Sequence, residues 1–568
     1  MMGSEARARK LNPQTLTDAA WVLGLLLLGG RYFAPLEQVA AIELWDETAY
    51  MLRGLRWPLT AISAAYAPLY SLFYRLLAWV EPEPLRLYYL AYRAGAVLLA
   101  LAVYWALRRG RVQPWFGGWA AWAVLTARGN AVVWPRVPVF ALAWMLFGLG
   151  AVWGARGRAT AWRWASATVV LWTAAYIRPE MAAAALLAGL VAAWLAWRAR
   201  RRGQALLGPG RAAWAGLLAA ALAPLLLWGL PVQGGRSWDA FAQHFTVRRA
   251  EMGDPIENPW RSEGIRPTIA RYFGPDVHSI PAAIRANPRA VITHVLANAR
   301  SMHAQARLDK LLDFPRWRAW LTPRRVVEGF SLLGLALWLW RARTARARAV
   351  ALWLLREPLP WLALAASPPL GSMLFIFPHV HYAWMLAVLG WVAWALVVAP
   401  RTDDVAETSR IPWAWVHAAL SVMLLTGMLN HARSNGVDVW LRPTHKQVVP
   451  GLAAFVRGLN LTPPVAVLGA EGGLDVYLGP HVKAVDEDLA RDSSASLTAF
   501  IEDRGVQLLI FPGDDPLKAR FCRGREHECA ALVARPHEFG FRARRLSLAQ
   551  GGYLFLVAED AAPARRGP

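Results

Sequence analysis

Long apolar stretches alternate with short, mostly arginine-bearing connections from residue 17 to about residue 430. A helix that crosses a bilayer needs roughly 20 predominantly apolar residues. On that measure the pattern predicts spans at 17–36, 86–107, 113–126, 137–154, 161–177, 181–197, 212–231, 326–340, 358–377, 382–398 and 411–429. That makes about eleven. Two polar segments interrupt the series. Residues 37–85 are mixed, opening an aromatic stretch at Tyr66-Ala67-Pro68-Leu69-Tyr70 and closing at Glu81-Pro82-Glu83-Pro84, which predicts short helices lying along the membrane interface. Residues 233–323 carry helix-like patches at 282–313 and proline-rich turns at 254–267. From Lys446 the texture changes. Short β-rich runs at 465–468, 482–485, 506–511 and 553–557 alternate with helix-like stretches such as 495–504, the signature of an α/β domain over 446–568. The fold class expected is therefore an α-helical polytopic membrane protein with a small C-terminal α/β domain.

Charge assigns sides to these elements. The net charge of +24 would point to nucleic acid in a soluble chain, but 56% of the residues are hydrophobic and only 18% charged. The arginines fall in runs between apolar stretches, at 108–111, 156–158, 198–202 and 341–348. Such runs mark cytoplasmic loops, so the charge reads as topology and no nucleic-acid partner is expected. Arg7, Arg9 and Lys10 precede the first span without a small-residue cleavage site, which predicts a signal anchor with residues 1–16 in the cytoplasm. Parity then places the 37–85 loop, the 233–323 loop and the C-terminal domain outside, as in a bacterial inner-membrane protein. Cys522 and Cys529 stand together near the C-terminus, where either a disulfide or two inert thiols fit.

Candidate chemistry concentrates on the predicted outer side. Asp46 and Glu47 follow the first span, where adjacent carboxylates are costly unless water, a partner or a reaction uses them. A carboxylate there suits deprotonation of an acceptor hydroxyl in glycosyl transfer; acids in a first helical turn also simply oppose the helix dipole. Tyr66 and Tyr70 offer aromatic faces to a sugar or a prenyl chain, or form an interfacial aromatic belt. Arg178-Pro179-Glu180 sits between two spans, with a planar guanidinium suited to phosphate oxygens and a carboxylate to orient it; Arg136 is a second arginine of that kind. His379-Val380-His381-Tyr382 opens a late span. Histidines two apart diverge on a helix and have no evident third ligand, so phosphate contact or hydrogen bonding is expected there and no metal. Gly469-Ala470-Glu471-Gly472-Gly473 lacks dinucleotide-loop spacing and reads as a tight turn.

Taken in order, Trp45-Asp46-Glu47-Thr48-Ala49-Tyr50, Tyr66-Ala67-Pro68-Leu69-Tyr70, Arg178-Pro179-Glu180 and His381-Tyr382 resemble the motifs of the GT-C superfamily of integral-membrane glycosyltransferases. The likeness is to the bacterial protein mannosyltransferase and lipid A aminoarabinose transferase group, glycosyltransferase family 39-like, over residues 17 to 400. It implies a GT-C-like transmembrane domain over 17–430, a polyprenyl-phosphate sugar donor, a glycan, lipid or protein acceptor, and inversion at the anomeric carbon. By match to the family's first-loop acid, Asp46 is implied as general base with Glu47 beside it. Many members carry an acid a few positions past the second outer loop's arginine, whereas here Arg136 is followed by Val137-Pro138-Val139-Phe140, which speaks against a second carboxylate and a metal. No cofactor is expected. The competing class is a transporter or flippase, for which Arg93 and Arg356-Glu357 are the candidate mid-membrane groups, with no repeated half visible.

Overall fold

A computed structural model of the full chain describes residues 13–55, 58, 62–155, 159–203, 211–232, 235–306, 311, 345–399, 413–434, 436–439, 441, 448–493, 495–512, 515–548 and 551–559. The span expected at 326–340 lies outside the described residues. The chain divides into two compact units, one comprising Met1–Ala34, Thr60–Tyr70 and Tyr92–Trp440, the other Pro35–Leu59, Ser71–Ala91 and Leu441–Pro568.

The regular elements of the first unit are helices among its described residues. Its helices Pro114–Thr126, Val137–Gly154, Thr160–Ala175, Met181–Arg201, Arg211–Trp228, Pro358–Phe375, Val380–Val398 and Trp413–Ser434 stand where the apolar stretches predicted spans. Sequence punctuation explains the ends. Proline occupies the first turn at Pro114, Pro138 and Pro358, where its missing N–H costs nothing. Arginines crowd the last turns of Pro84–Arg109 and Met181–Arg201, against the negative end of the dipole. Five helices, Gln14–Val39, Pro84–Arg109, Val137–Gly154, Met181–Arg201 and Val380–Val398, are long and apolar enough to cross a membrane. On Met181–Arg201, Leu186, Leu187, Leu190, Trp194 and Trp197 all face outward. A helix with so apolar an exposed side has lipid as its solvent, which makes this a membrane protein.

Packing inside the unit relies on large aromatics against small residues. Gly118 allows the indole of Trp21 to lie against the helix Pro114–Thr126, because a side chain there would meet the ring at 2.1 Å. Trp391 of Val380–Val398 donates its indole N–H to the Ala120 carbonyl at 3.1 Å, and Arg108 pairs with Asp18 at 2.6 Å. A buried ion pair joins Arg163 to Glu357 at 2.6 Å. Glu357 had been a candidate transport group; its carboxylate is held by a neighbouring helix. The polar segment before the late spans folds as Arg236–Glu251, Ser262–Phe273, Ile280–Ala286 and Pro288–Ala306, around a core of Phe241, Phe245, Phe273 and Val291. Pro267, expected in a turn, sits inside Ser262–Phe273.

The second unit combines the first polar loop with the C-terminal region. Its sheet has the order β2-β1-β3-β5-β4, where β1 is Val465–Leu468, β2 Val482–Ala484, β3 Val506–Pro512, β4 Phe541–Leu548 and β5 Gly551–Ala558. β1 runs parallel to β2 and β3; β5 is antiparallel to β3 and β4, in register Leu508 with Val557 and Phe541 with Ala558. Leu468, Phe500, Phe511, Phe521 and Leu556 form its core, and a disulfide joins Cys522 to Cys529 within it. β4 closes one edge with Arg542, Arg544 and Arg545 exposed. From the first loop come the short helices Leu36–Val39 and Asp46–Leu55 and part of Pro68–Leu77.

Candidate functional site

Asp46 and Glu47 open the helix Asp46–Leu55 but have different surroundings. Glu47 is buried at 1% exposure and accepts a hydrogen bond from the Tyr74 hydroxyl at 2.6 Å. Asp46 is exposed and makes no hydrogen bond or ion pair among the described residues. A free carboxylate can take a proton; a buried one already holding a phenol serves to position. Asp46 does not cap the helix as an outlying residue but is its first residue, after Trp45 at φ +72°.

That left-handed conformation at a tryptophan is held from the C-terminal domain. The Trp45 N–H donates to the Gly472 carbonyl at 2.8 Å. Three residues on, Thr48 is fully buried with its Oγ1 at 3.2 Å from the Tyr477 hydroxyl. Burial first, opposed by the Thr48 hydrogen bond, pushes the Tyr477 phenol above its ordinary range, so it remains a neutral partner. The glycine-rich stretch is a tight turn, as expected, with Gly469, Gly472 and Gly473 all at positive φ. Its second role as the seat of Trp45 and Thr48 was not legible, since no local pattern ties it to residues some four hundred positions away.

A second cluster lies wholly in the first unit. Arg178, buried, donates its Nε to Glu180 Oε1 at 2.6 Å and sits over the Tyr382 ring at 4.9 Å. His379 begins the helix Val380–Val398; its ring stacks on His381 at 5.1 Å, and its Nε2 lies 3.1 Å from Nε2 of His244. His381 also packs on Tyr382, ring centroids 4.3 Å apart. His244 and its neighbour His294 come from the polar segment and had no sequence signal beyond being histidines. His244 stacks on Phe377, and His294 places Nε2 at 3.1 Å from the Phe375 and Ile376 carbonyls.

These rings are neutral at pH 7. Burial chiefly, then His379, His294 and Arg248, lowers the His244 pKa to about 3. Burial and Arg178 lower His379 to about 4, and burial with Arg248, against the two carbonyls, lowers His294 to about 4. Two neutral imidazoles meeting at Nε2 need one donor and one acceptor. His244 Nδ1 is buried without a partner. An orphaned lone pair costs less than an orphaned N–H, so the favoured tautomers have His244 donating and His379 carrying its own proton on Nδ1.

The remaining candidates fall in the first unit too. Arg136 is buried and turned onto its own loop, donating to the Asn130 carbonyl at 2.7 Å with its guanidinium over Tyr92 at 4.1 Å. Tyr70 is buried against Phe140 at 5.4 Å, so its ring is occupied by packing. Tyr66 remains partly open beneath Arg236, at 5.5 Å. Thus Arg178, Glu180, His379, His381 and Tyr382 are brought together, Arg136 and Tyr70 serve the scaffold, and Asp46 and Glu47 belong to the other unit. No group of three or more potential metal ligands occurs among the described residues.

No protein-family model matches the chain, and no curated protein matches it either. Among solved structures the chain is similar to ArnT from Cupriavidus metallidurans bound to undecaprenyl phosphate, at 13% identity and a TM-score of 0.37, over 97% of this chain and 99% of that one.

Proposed function

We propose that this membrane protein is a glycosyltransferase that moves a sugar from a polyprenyl-phosphate donor to a glycan, lipid or protein acceptor at the outer face of the membrane, with inversion. The observation that carries the reading is Asp46, a carboxylate left exposed and without a partner among the described residues, at the start of a helix whose other acid is tied down. In the proposed reaction the acceptor hydroxyl gives its proton to Asp46 as its oxygen attacks the anomeric carbon. The bond from that carbon to the phosphate oxygen breaks, and polyprenyl phosphate leaves with the electron pair. Taken by itself, the first unit's Arg178, oriented by Glu180, has the planar charge suited to phosphate oxygens. The disulfide in the C-terminal domain supports an oxidising, extracytoplasmic side for it.

The test uses purified full-length protein in detergent or vesicles and a panel of radiolabelled undecaprenyl-phosphate pentoses and hexoses. Asp46→Asn at normal expression is expected to lower product formation by about 10²- to 10⁴-fold, the usual contribution of a general base. Undiminished transfer by that variant rejects the assignment. Movement of labelled substrate across the vesicle without any covalent product would replace it with transport.

A further inference from the structure

The C-terminal α/β domain touches the acidic helix at the residues that flank Asp46. Because Asp46 has no side-chain partner among the described residues, its carboxylate is located only by its backbone. That backbone enters the helix through Trp45 at φ +72°, a conformation disfavoured for any residue with a Cβ and kept only where surroundings enforce it. Gly472 enforces it by accepting the Trp45 N–H at 2.8 Å. One turn later, Gly473 lies so close that a methyl there would come 2.6 Å from Cγ2 of Thr48, while Thr48 Oγ1 meets the Tyr477 hydroxyl at 3.2 Å. Glu47, between these anchors, is fixed by Tyr74.

We infer that the Gly472-Gly473 turn and Tyr477 form a clamp on the first turn of Asp46–Leu55, so that the C-terminal domain acts as a positioning element for the catalytic carboxylate and not only as an appended binding module. The inference rests on the proposed role of Asp46. Groups that must act within a few tenths of an ångström need rigid supports, and an aspartate with free side-chain neighbours takes that support from its main chain. Gly472, Gly473, Thr48 and Tyr477 are accordingly positioning residues, touching no substrate themselves.

The experiment compares Gly473→Ala, Thr48→Ser and the double variant in the full-length protein, with Asp46→Asn in parallel. Thr48→Ser removes the Cγ2 that an alanine at 473 would strike and keeps the hydroxyl for Tyr477. Hydrogen exchange of the amides at 45–50 is read alongside kcat and KM with the undecaprenyl-phosphate sugar that the wild-type chain consumes. Gly473→Ala is expected to speed exchange at 45–50 and to lower kcat about tenfold, which is about 1.4 kcal/mol in the barrier, with KM shifting less than about twofold, since only the placement of the base is lost. Adding Thr48→Ser should restore protection and recover at least about threefold of the lost kcat, the remainder reflecting alanine at the φ of +84° that Gly473 adopts. Unaltered exchange at 45–50 in Gly473→Ala, a missing Thr48→Ser recovery, or a rise in KM with kcat preserved would overturn the clamp. An active Asp46→Asn variant would instead remove the base assignment, and the exchange data would still judge whether the turn holds the helix.

Discussion

Acidification from pH 7.5 to 5.5 should destabilise the first unit, and the buried histidines set the size of the effect. His244, His294 and His379 have folded pKa values of about 3, about 4 and about 4, against 6.5 for an exposed imidazole. Above pH 6.5 the folded and unfolded forms are both neutral and the full stability is present. As the pH falls below 6.5, the unfolded rings take up protons that the folded rings do not, and stability declines until the folded values are reached near pH 3–4. Each group contributes a slope of about 1.4 kcal/mol per pH unit within that window. By pH 5.5 each has cost about 1.3 kcal/mol, and the three together about 2–4 kcal/mol once their shared neighbours are allowed for. Arg178 and Arg248 face the cluster, and the acids near them, Glu180 and Glu251, are engaged by those arginines; Asp239, on the same helix as His244, has its pKa raised by burial and works in the opposite direction, which trims the loss. Thermal unfolding of the detergent-solubilised protein at several pH values reads the effect as a midpoint lower by several degrees at pH 5.5. His244→Phe keeps the stacking on Phe377 but removes one titrating ring, so it should be less stable at pH 7.5 and lose less on acidification. An equal or higher midpoint at pH 5.5, or an undiminished drop in His244→Phe, would refute the reasoning.

Three further outcomes follow from the contacts described. Glu357→Leu strands the Arg163 guanidinium in a buried setting and is expected to cost about 3–5 kcal/mol, visible as loss of folded protein on size-exclusion chromatography; the paired Arg163→Met, Glu357→Leu change should recover much of it. Arg136→Ala should lower the melting point through lost loop hydrogen bonds, each worth about 1–3 kcal/mol when a charged donor is removed, while the donor KM of the surviving protein stays near wild type. Arg178→Lys should raise the donor KM, because a lysine cannot reproduce the fork that binds Glu180 and faces Tyr382.

The spans were readable wherever chemistry marks their ends. Residues 137–154 were predicted and found as one helix, and the helix starting at Met181 runs to Arg201 because its arginines extend the last turn without breaking it. β1 was equally legible as a compact Val/Leu run, and β3 and β5 differ from expectation only at their ends. β4 was missed: three exposed arginines in Phe541–Leu548 erase the apolar alternation, and only pairing with β5 makes that segment a strand. In the candidate site, Arg178 with Glu180 and His379 with His381 and Tyr382 were each visible as a group because a proline turn and a span start keep their members close in sequence. His244 and His294 were not, since the contact of His244 with His379 and of His294 with the Phe375 and Ile376 carbonyls depends on how the polar segment folds. Arg136 and Tyr70 show the converse: the right residue types, turned inward by packing that composition does not reveal.

Thr48 and Tyr477 are separated by 429 positions along the chain. At ordinary rates of synthesis, about 5–20 residues per second, roughly 20–90 s pass between the emergence of the two. Throughout that interval the residue proposed to accept the proton is present without Gly472, Gly473 and Tyr477 to seat its first turn. On the proposed clamp, assembly order doubles as a safeguard: a nascent or prematurely ended polypeptide carries its acid slack and turns over more slowly until the α/β domain arrives.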